Sequence, residues 1–418
     1  MKEKRNFWLY AVGRLVSLIG TGVQDVAVSL FILDVTGSGT AMGTFMIISM
    51  VPRLILYPIA GVIGDRINRK QIMVWMDFGR GAVILILVLL VTQNLFTIPV
   101  LFVAQLVLSL MNALFGPATM AMLPDIVEEE DLIQANSTLG AINNLSFFVG
   151  PALGGVIYGL GGIRAAFLIN SVSFFASGIS ELFIRYQQKT RKLERVREVV
   201  TDLKEGLYFV KAHRGLLILL VFALVLNALI GPVFAILLPY VLRVVIKFSS
   251  EQFGLIQASF VFGSLAGNII IGTLLAKRSV EKMLTRGLLA QTAVMFVFAG
   301  LIFPQSIETL GHASWTLFSA LFSTFVVMGL FNAFVNTPLM VELQKLTPTE
   351  FRARVFSVME VASQGVIPLG YGIIGILLDL APAHIIAFIV LLIEGLIILL
   401  FVFRYFGEVL KEFEQKSE

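Results

Sequence analysis

Three acids and one arginine stand where an apolar chain least tolerates them: Asp25, Glu360 and Glu394, with Arg53, all interrupt long apolar runs. An ionisable side chain in hydrocarbon costs at least ~2.5–3.5 kcal/mol, so each requires a reason. A carboxylate held there can bind and release a proton, which makes Asp25, Glu360 and Glu394 candidates for proton coupling. Counting inward from Trp8 and Tyr10 at 1.5 Å per residue, Asp25 lies roughly 21 Å into a hydrocarbon layer about 30 Å thick. Arg53 is either the partner of Asp25 or a charge facing a cavity. Gln24, Asn112, Asn227, Asn332 and Asn336 are the other candidate substrate contacts, amides set in apolar runs, and an apolar pocket with a few amides suits a large amphipathic molecule. Asp77 with Arg80, three apart, and Glu181 with Arg185, four apart, read as intrahelical pairs of structural value.

The elements that must hold these residues follow from composition. The chain has 418 residues, 57% hydrophobic and 14% charged, far more apolar than a water-soluble domain tolerates. Apolar runs broken by charges or turn residues give twelve expected helices: 7–33, 41–64, 71–92, 98–123, 136–160, 163–186, 216–241, 252–276, 284–304, 315–339, 353–378 and 382–404. They lack the period-two alternation of a membrane barrel. With both ends inside, 25 of the 31 Lys and Arg residues fall in cytoplasmic segments or at their helix ends, which fixes the orientation expected.

Internal repetition supports two halves. Gly61–Met73 matches Gly272–Met283 in position, and Pro117 has a counterpart in Pro338. The division expected is a six-helix bundle over 1–186, a cytoplasmic linker with a basic amphipathic helix over 187–214, a second bundle over 215–405 and a cytoplasmic tail over 406–418. This is an all-α polytopic membrane protein with pseudo-symmetric halves.

The stretch Gly61-Val62-Ile63-Gly64-Asp65-Arg66-Ile67-Asn68-Arg69-Lys70 resembles the signature loop of the major facilitator superfamily, G-x-x-x-D-R-x-x-R-[RK]. The resemblance implies a cytoplasmic gate in which Asp65 meets the helix start near Arg352 or Arg354. It also implies that Arg69 pairs with Asp125, with Gly61, Gly64, Arg66 and Lys70 completing the loop. The second-half copy has Ala276 where the aspartate belongs, so an asymmetric lock is expected. Gly150-Pro151-Ala152-Leu153-Gly154-Gly155 is similar to the helix-5 motif of the family's antiporters, although helix packing alone also uses such glycines. Thr36-Gly37-Ser38, Leu123-Pro124-Asp125, Gln134-Ala135-Asn136, Asp202–Gly206 and Arg354-Val355-Phe356-Ser357 extend the resemblance to the macrolide and siderophore exporters. Helix 4 departs from the drug–proton antiporters in having no arginine.

The expected activity is therefore secondary active export of amphipathic small molecules of the drug, macrolide or siderophore class. Proton antiport by alternating access would drive it. A lipid or lysolipid flippase, or a facilitative transporter on the same fold, is the alternative. There is no P-loop and no H-E-x-x-H, so neither ATP hydrolysis nor zinc-enzyme chemistry is expected, and no catalytic or metal-binding residues are assigned. No cofactor is expected beyond the proton gradient. The partners expected are substrate, protons and bilayer, with no nucleic acid. A monomer in the inner cell membrane is expected.

Overall fold

A computed structural model describes residues 2–186, 196–275 and 278–409, with the side chains of 2–3, 57–66, 196–200, 202, 342, 345–346, 349–350 and 353 outside the described residues. In chain order the helices are α1 (Lys2–Thr36), α2 (Gly39–Arg66), α3 (Arg69–Thr92), α4 (Ile98–Ile126) and α5 (Leu132–Leu182). Then come α6 (Val196–Ala212), α7 (Arg214–Val245), α8 (Ser250–Leu275), α9 (Val280–Leu301) and the short α10 (Pro304–Leu310). The last four are α11 (Trp315–Leu346), α12 (Thr349–Gly365), α13 (Ile367–Leu380) and α14 (Ala383–Val409). No strand occurs among the described residues.

Among the described residues, eleven stretches are long and apolar enough to cross a bilayer, and one of them, Glu129–Leu182, has 54 residues. At 1.5 Å per residue it is far longer than one crossing needs. It breaks at Gly162, whose φ of 61° and ψ of −162° lie where only glycine sits without strain. The two arms correspond to the expected helices 136–160 and 163–186, so twelve crossings lie among the described residues. The expected helix 353–378 is matched by one apolar stretch, Arg354–Leu380, with a one-residue turn at Val366 between α12 and α13. Pro368 supplies the reason, since it lacks the amide needed to continue the hydrogen-bond ladder.

Side chains such as Leu160 (85% exposed) and Ile133 (82%) stand on the outside of this multi-pass membrane protein. Lipid tails are as apolar as these side chains, so water exclusion does little to hold the helices together. Close packing, small residues and interhelical hydrogen bonds carry that role instead.

Two compact units divide the chain. The first contains residues 1–35 and 45–199. At one end its core joins Tyr10 and Ala11 of α1 to Ile72 and Met73 of α3, Met122 and Leu123 of α4, and Ala135 and Leu139 of α5. The second contains residues 36–44 and 200–418. Val210 of α6, Leu219 and Phe222 of α7, and Ile398 and Phe401 of α14 share one of its apolar clusters, with Phe222 stacked on Phe401 at 3.8 Å.

Within the second unit the Asp379 carboxylate, in the last turn of α13, accepts hydrogen bonds from the amides of Gly39 (2.6 Å) and Thr40 (3.1 Å) and from the Ser38 hydroxyl (2.7 Å). An acid is unfavourable beside its own helix C-terminus and favourable at another helix's N-terminus, which accounts for residues 36–44 grouping with that unit.

Candidate functional site

In α1 the direction of each side chain separates two roles. Asp25 is exposed on the surface of the first unit, whereas its neighbours Gln24, Val26 and Ala27 are buried. The Arg53 guanidinium of α2 is also exposed and lies within electrostatic reach of Asp25, without a direct ion pair. Gln24 turns the other way: its side-chain oxygen accepts a hydrogen bond from the Asn170 amide at 2.8 Å. The polarity that α1 presents at this level is therefore that of Asp25, and Gln24 ties α1 to the second arm of α5.

The glycines of α5 grip α1 on the same stretch. A Cβ on Gly150 would come within 2.9 Å of the Gly22 Cα, and one on Gly154 within 3.0 Å of the Val23 carbonyl oxygen. Only the absence of a side chain allows this approach. Pro151 and Gly155 lie in the same turns, with Gly155 buried.

At the end of the unit where α3 begins, Asn68 caps the helix by accepting from the Gln71 amide at 3.3 Å. The next residue, Arg69, is 2% exposed and forms an ion pair with Asp125 at 3.0 Å. Tyr186 donates to the same carboxylate oxygen at 2.9 Å. Burial, followed by the bond to Asp125, pushes the Tyr186 phenol from its ordinary 10 up to about 12, which keeps it a neutral donor. Lys70 donates to the Leu182 carbonyl at 2.7 Å. The side chains of Asp65 and Arg66, and the surroundings of Gly61 and Gly64, lie outside the described residues.

Other expected residues are placed as follows. Asn112 accepts from Arg80 at 2.6 Å, so its amide is engaged inside the first unit. In the second unit Asn227 donates to the Ala223 carbonyl one turn back. Asn336 donates to the side-chain oxygen of Asn332 at 3.0 Å, and next to it the Thr337 hydroxyl donates to Asn268 at 2.7 Å. These are two polar pairs, one within α11 and one joining α11 to α8.

Glu360 is exposed and accepts from Gln364. Glu394 is 1% exposed, and neither carboxylate oxygen has a hydrogen-bond partner. Arg352 donates to the Gln344 carbonyl, and Arg354 pairs with Glu205 of α6 at 2.9 Å.

Tyr186, Asn170 and Asp379 thus join the functional candidates without having been singled out from the sequence. Asp379 carried a readable signal, because an acid in the last turn of a helix opposes the dipole and calls for a partner elsewhere. Asn170 carried none, since an amide in an apolar run does not reveal which neighbour it meets.

The apolar crossings among the described residues, with their glycine-tight contacts, define a polytopic membrane protein. The family model of the Major Facilitator Superfamily matches residues 10–307 and 220–417, and the chain belongs to that family. An uncharacterized MFS-type transporter of Bacillus subtilis, YfiS, is 27% identical over 96% of this chain and 94% of its own length. Macrolide efflux protein A of Streptococcus pyogenes is 23% identical over 88% of this chain and 89% of its own. Among solved structures, the nucleoside transporter NupG matches with a TM-score of 0.72 at 13% identity, over 96% of this chain and 99% of the other. That likeness is one of fold.

Proposed function

We propose that this transporter exports amphipathic small molecules of the drug, macrolide or siderophore class by proton antiport with alternating access. The observation that carries the reading is the contact of Gly150 and Gly154 with Gly22 and Val23, which seats the antiporter-like motif of α5 directly on the stretch of α1 that presents Asp25. A backbone-to-backbone contact positions that stretch without long side chains between the helices, so movement of α5 is transmitted to Asp25. Asp25 exchanges a proton for substrate, Arg53 sets the local potential, and the Asn268–Thr337 and Asn332–Asn336 groups supply hydrogen-bonding positions in the second unit. Similarity to a macrolide efflux protein over most of both chains supports the outward direction. The protein acts in the inner membrane with both termini in the cytoplasm, an orientation supported by the Lys and Arg distribution. Arg69, Asp125 and Tyr186 then belong to the cytoplasmic gate region.

The test is retention of a panel of dyes, macrolides and siderophores in cells expressing wild type or Asp25→Asn, with and without a protonophore. Lower retention with wild type, lost in the variant and lost on collapse of the gradient, is the expected result. Export that persists with the gradient collapsed sinks the antiport reading and favours facilitated or lipid transport.

A further inference from the structure

A second set of ionisable groups lies inside the first unit, and the reading above does not use it. Asp77 (0% exposed) and Arg80 (5%) of α3 and Glu181 (3%) of α5 are enclosed, with Arg14 of α1 half-buried beside them. Arg80 is fixed on every side. It pairs with Asp77 Oδ1, donates through Nη1 to Asn112 at 2.6 Å and through Nε to the Met76 carbonyl at 3.3 Å. Its guanidinium also lies over the Phe115 ring at 3.9 Å and the Phe174 ring at 4.4 Å.

The acids are not saturated in the same way. Glu181 Oε2 is buried with no hydrogen-bond partner, and Asp77 Oδ2 has only the buried Ser177 hydroxyl of α5 nearby, outside strict hydrogen-bond geometry. The helices around Glu181 bring a complete and short set of charged or titratable neighbours: Asp77 and Arg80 from α3, and Arg14 and Tyr10 from α1. The apolar run of α4, residues 98–123, adds Asn112 and Phe115 but no charge. Gly178, one turn before Glu181, lies against Asp77, where a Cβ would stand 3.4 Å from the Asp77 Cβ.

With both acids ionised, two negative charges share a space that encloses a single fully buried cation, and like charges in one site disfavour joint ionisation. With one proton between them, Asp77 and Arg80 remain a paired couple and the fully buried charges balance, while the half-buried Arg14 stands at the edge of that enclosure. We propose that Asp77 and Glu181 form a second proton-binding site of this transporter, separate from Asp25, which holds one exchangeable proton beside the fixed Arg80. A proton from water forms an O–H bond at Glu181 Oε2, and its release restores the carboxylate, with no other bond changed. The inference rests on the antiport reading only for the site's role in transport; proton binding itself does not depend on it.

Infrared difference spectroscopy of the purified full chain, taken from mildly alkaline to mildly acidic buffer, reads the protonation without any substrate. The expected result is a carboxyl C=O band on acidification that is lost in Glu181→Gln, shifted in Glu181→Asp and retained in Asp25→Asn. A band unchanged in Glu181→Gln overturns the site. Should that variant fail to assemble, an unshifted band in Glu181→Asp overturns it equally.

In proteoliposomes loaded with erythromycin, Glu181→Gln is expected to lose stimulation by an imposed proton gradient while gradient-free exchange continues. The two readings fail differently. Wild type with the Glu181 band but no gradient stimulation removes antiport and leaves the site, whereas gradient stimulation without that band removes the site and leaves antiport.

Discussion

Arg69, Asp77, Arg80 and Glu181 are buried in the first unit, whereas the buried charged residue of the second, among those described, is Glu394. The scaffolds nevertheless repeat. α3 starts on the side-chain cap of Asn68, and α9 starts on that of Ser279, which accepts from the Lys282 amide at 3.5 Å. The divergence begins one residue later, where the first unit has Arg69 paired with Asp125 and the second has the apolar Val280. The second unit instead joins aromatic rings of four helices: Phe234 lies 5.1 Å from Phe260 and 6.1 Å from Phe325, and Phe325 lies 5.5 Å from Phe298. A fixed guanidinium–carboxylate network is rigid and sensitive to a proton, while packed phenylalanine rings carry no charge to titrate. The difference teaches that two similar helical frames can divide the labour, one enclosing paired charge and the other, among its described residues, burying a single unpartnered acid.

The largest effect should come from removing the cation that the first unit is built around. Arg80→Leu leaves Asp77 and Glu181 enclosed without their buried counter-charge, and breaking such a pair costs about 3–5 kcal/mol. Thermal melting in detergent should fall sharply, with poor yield of folded protein. Melting unchanged from wild type would mean the two units do not differ in the way their buried charge implies. Next in size is Gly150→Val. The Gly22 backbone leaves no room for the side chain, so α1 and α5 must part and export should drop at least ~10-fold, an effect of about 1.4 kcal/mol on the transport barrier. Gly140→Ala in the same helix is the control, because nothing lies within 4 Å of its Cβ position, and export should be unchanged.

The helices were legible because a bilayer imposes one strong rule, about 20 apolar residues per crossing. The break at Gly162 separates the two expected helices 136–160 and 163–186 with no loop between them. What stayed hidden is which way a side chain faces. Gln24 and Asn112 have the composition of cavity residues, yet Gln24 is bonded to Asn170 and Asn112 to Arg80. Asp77 and Glu181 lie more than a hundred positions apart, each with an arginine at helical spacing, so local pairing was the natural reading for both. In the folded unit the Asp77–Arg80 pair exists, while Glu181 faces that pair rather than ending in a simple local couple. Sequence spacing gives i,i+3 and i,i+4 neighbours; it does not give the helix packed opposite.

A smaller effect tests the other side of the comparison. Glu394 has two buried oxygens without partners, and relieving an unsatisfied buried polar group is worth about 1–3 kcal/mol. Glu394→Leu should raise the melting temperature by a few degrees and leave gradient-driven export intact. Loss of gradient dependence in this variant would give the second unit a proton site of its own and abolish the division of labour.

The smallest effect is expected at Tyr186, where one hydroxyl separates the wild type from Tyr186→Phe. Its bond to Asp125 is a charge-assisted but partly solvated contact, so its loss should cost about 1 kcal/mol or less. Arg69 keeps the carboxylate paired in the variant. The pH dependence carries the sharper information. The phenol ionises at about 12 in the folded protein against an ordinary 10, so the native state holds the proton more tightly than the unfolded one. Its contribution to stability is therefore full below pH 10 and lost as pH rises through about 12. Melting curves of wild type and Tyr186→Phe should run parallel from neutral pH to pH 10 and converge above it. A gap that opens or closes near neutral pH would place a titrating group at the Arg69–Asp125 pair itself. The charge chemistry of the first unit would then extend from its interior to its gate.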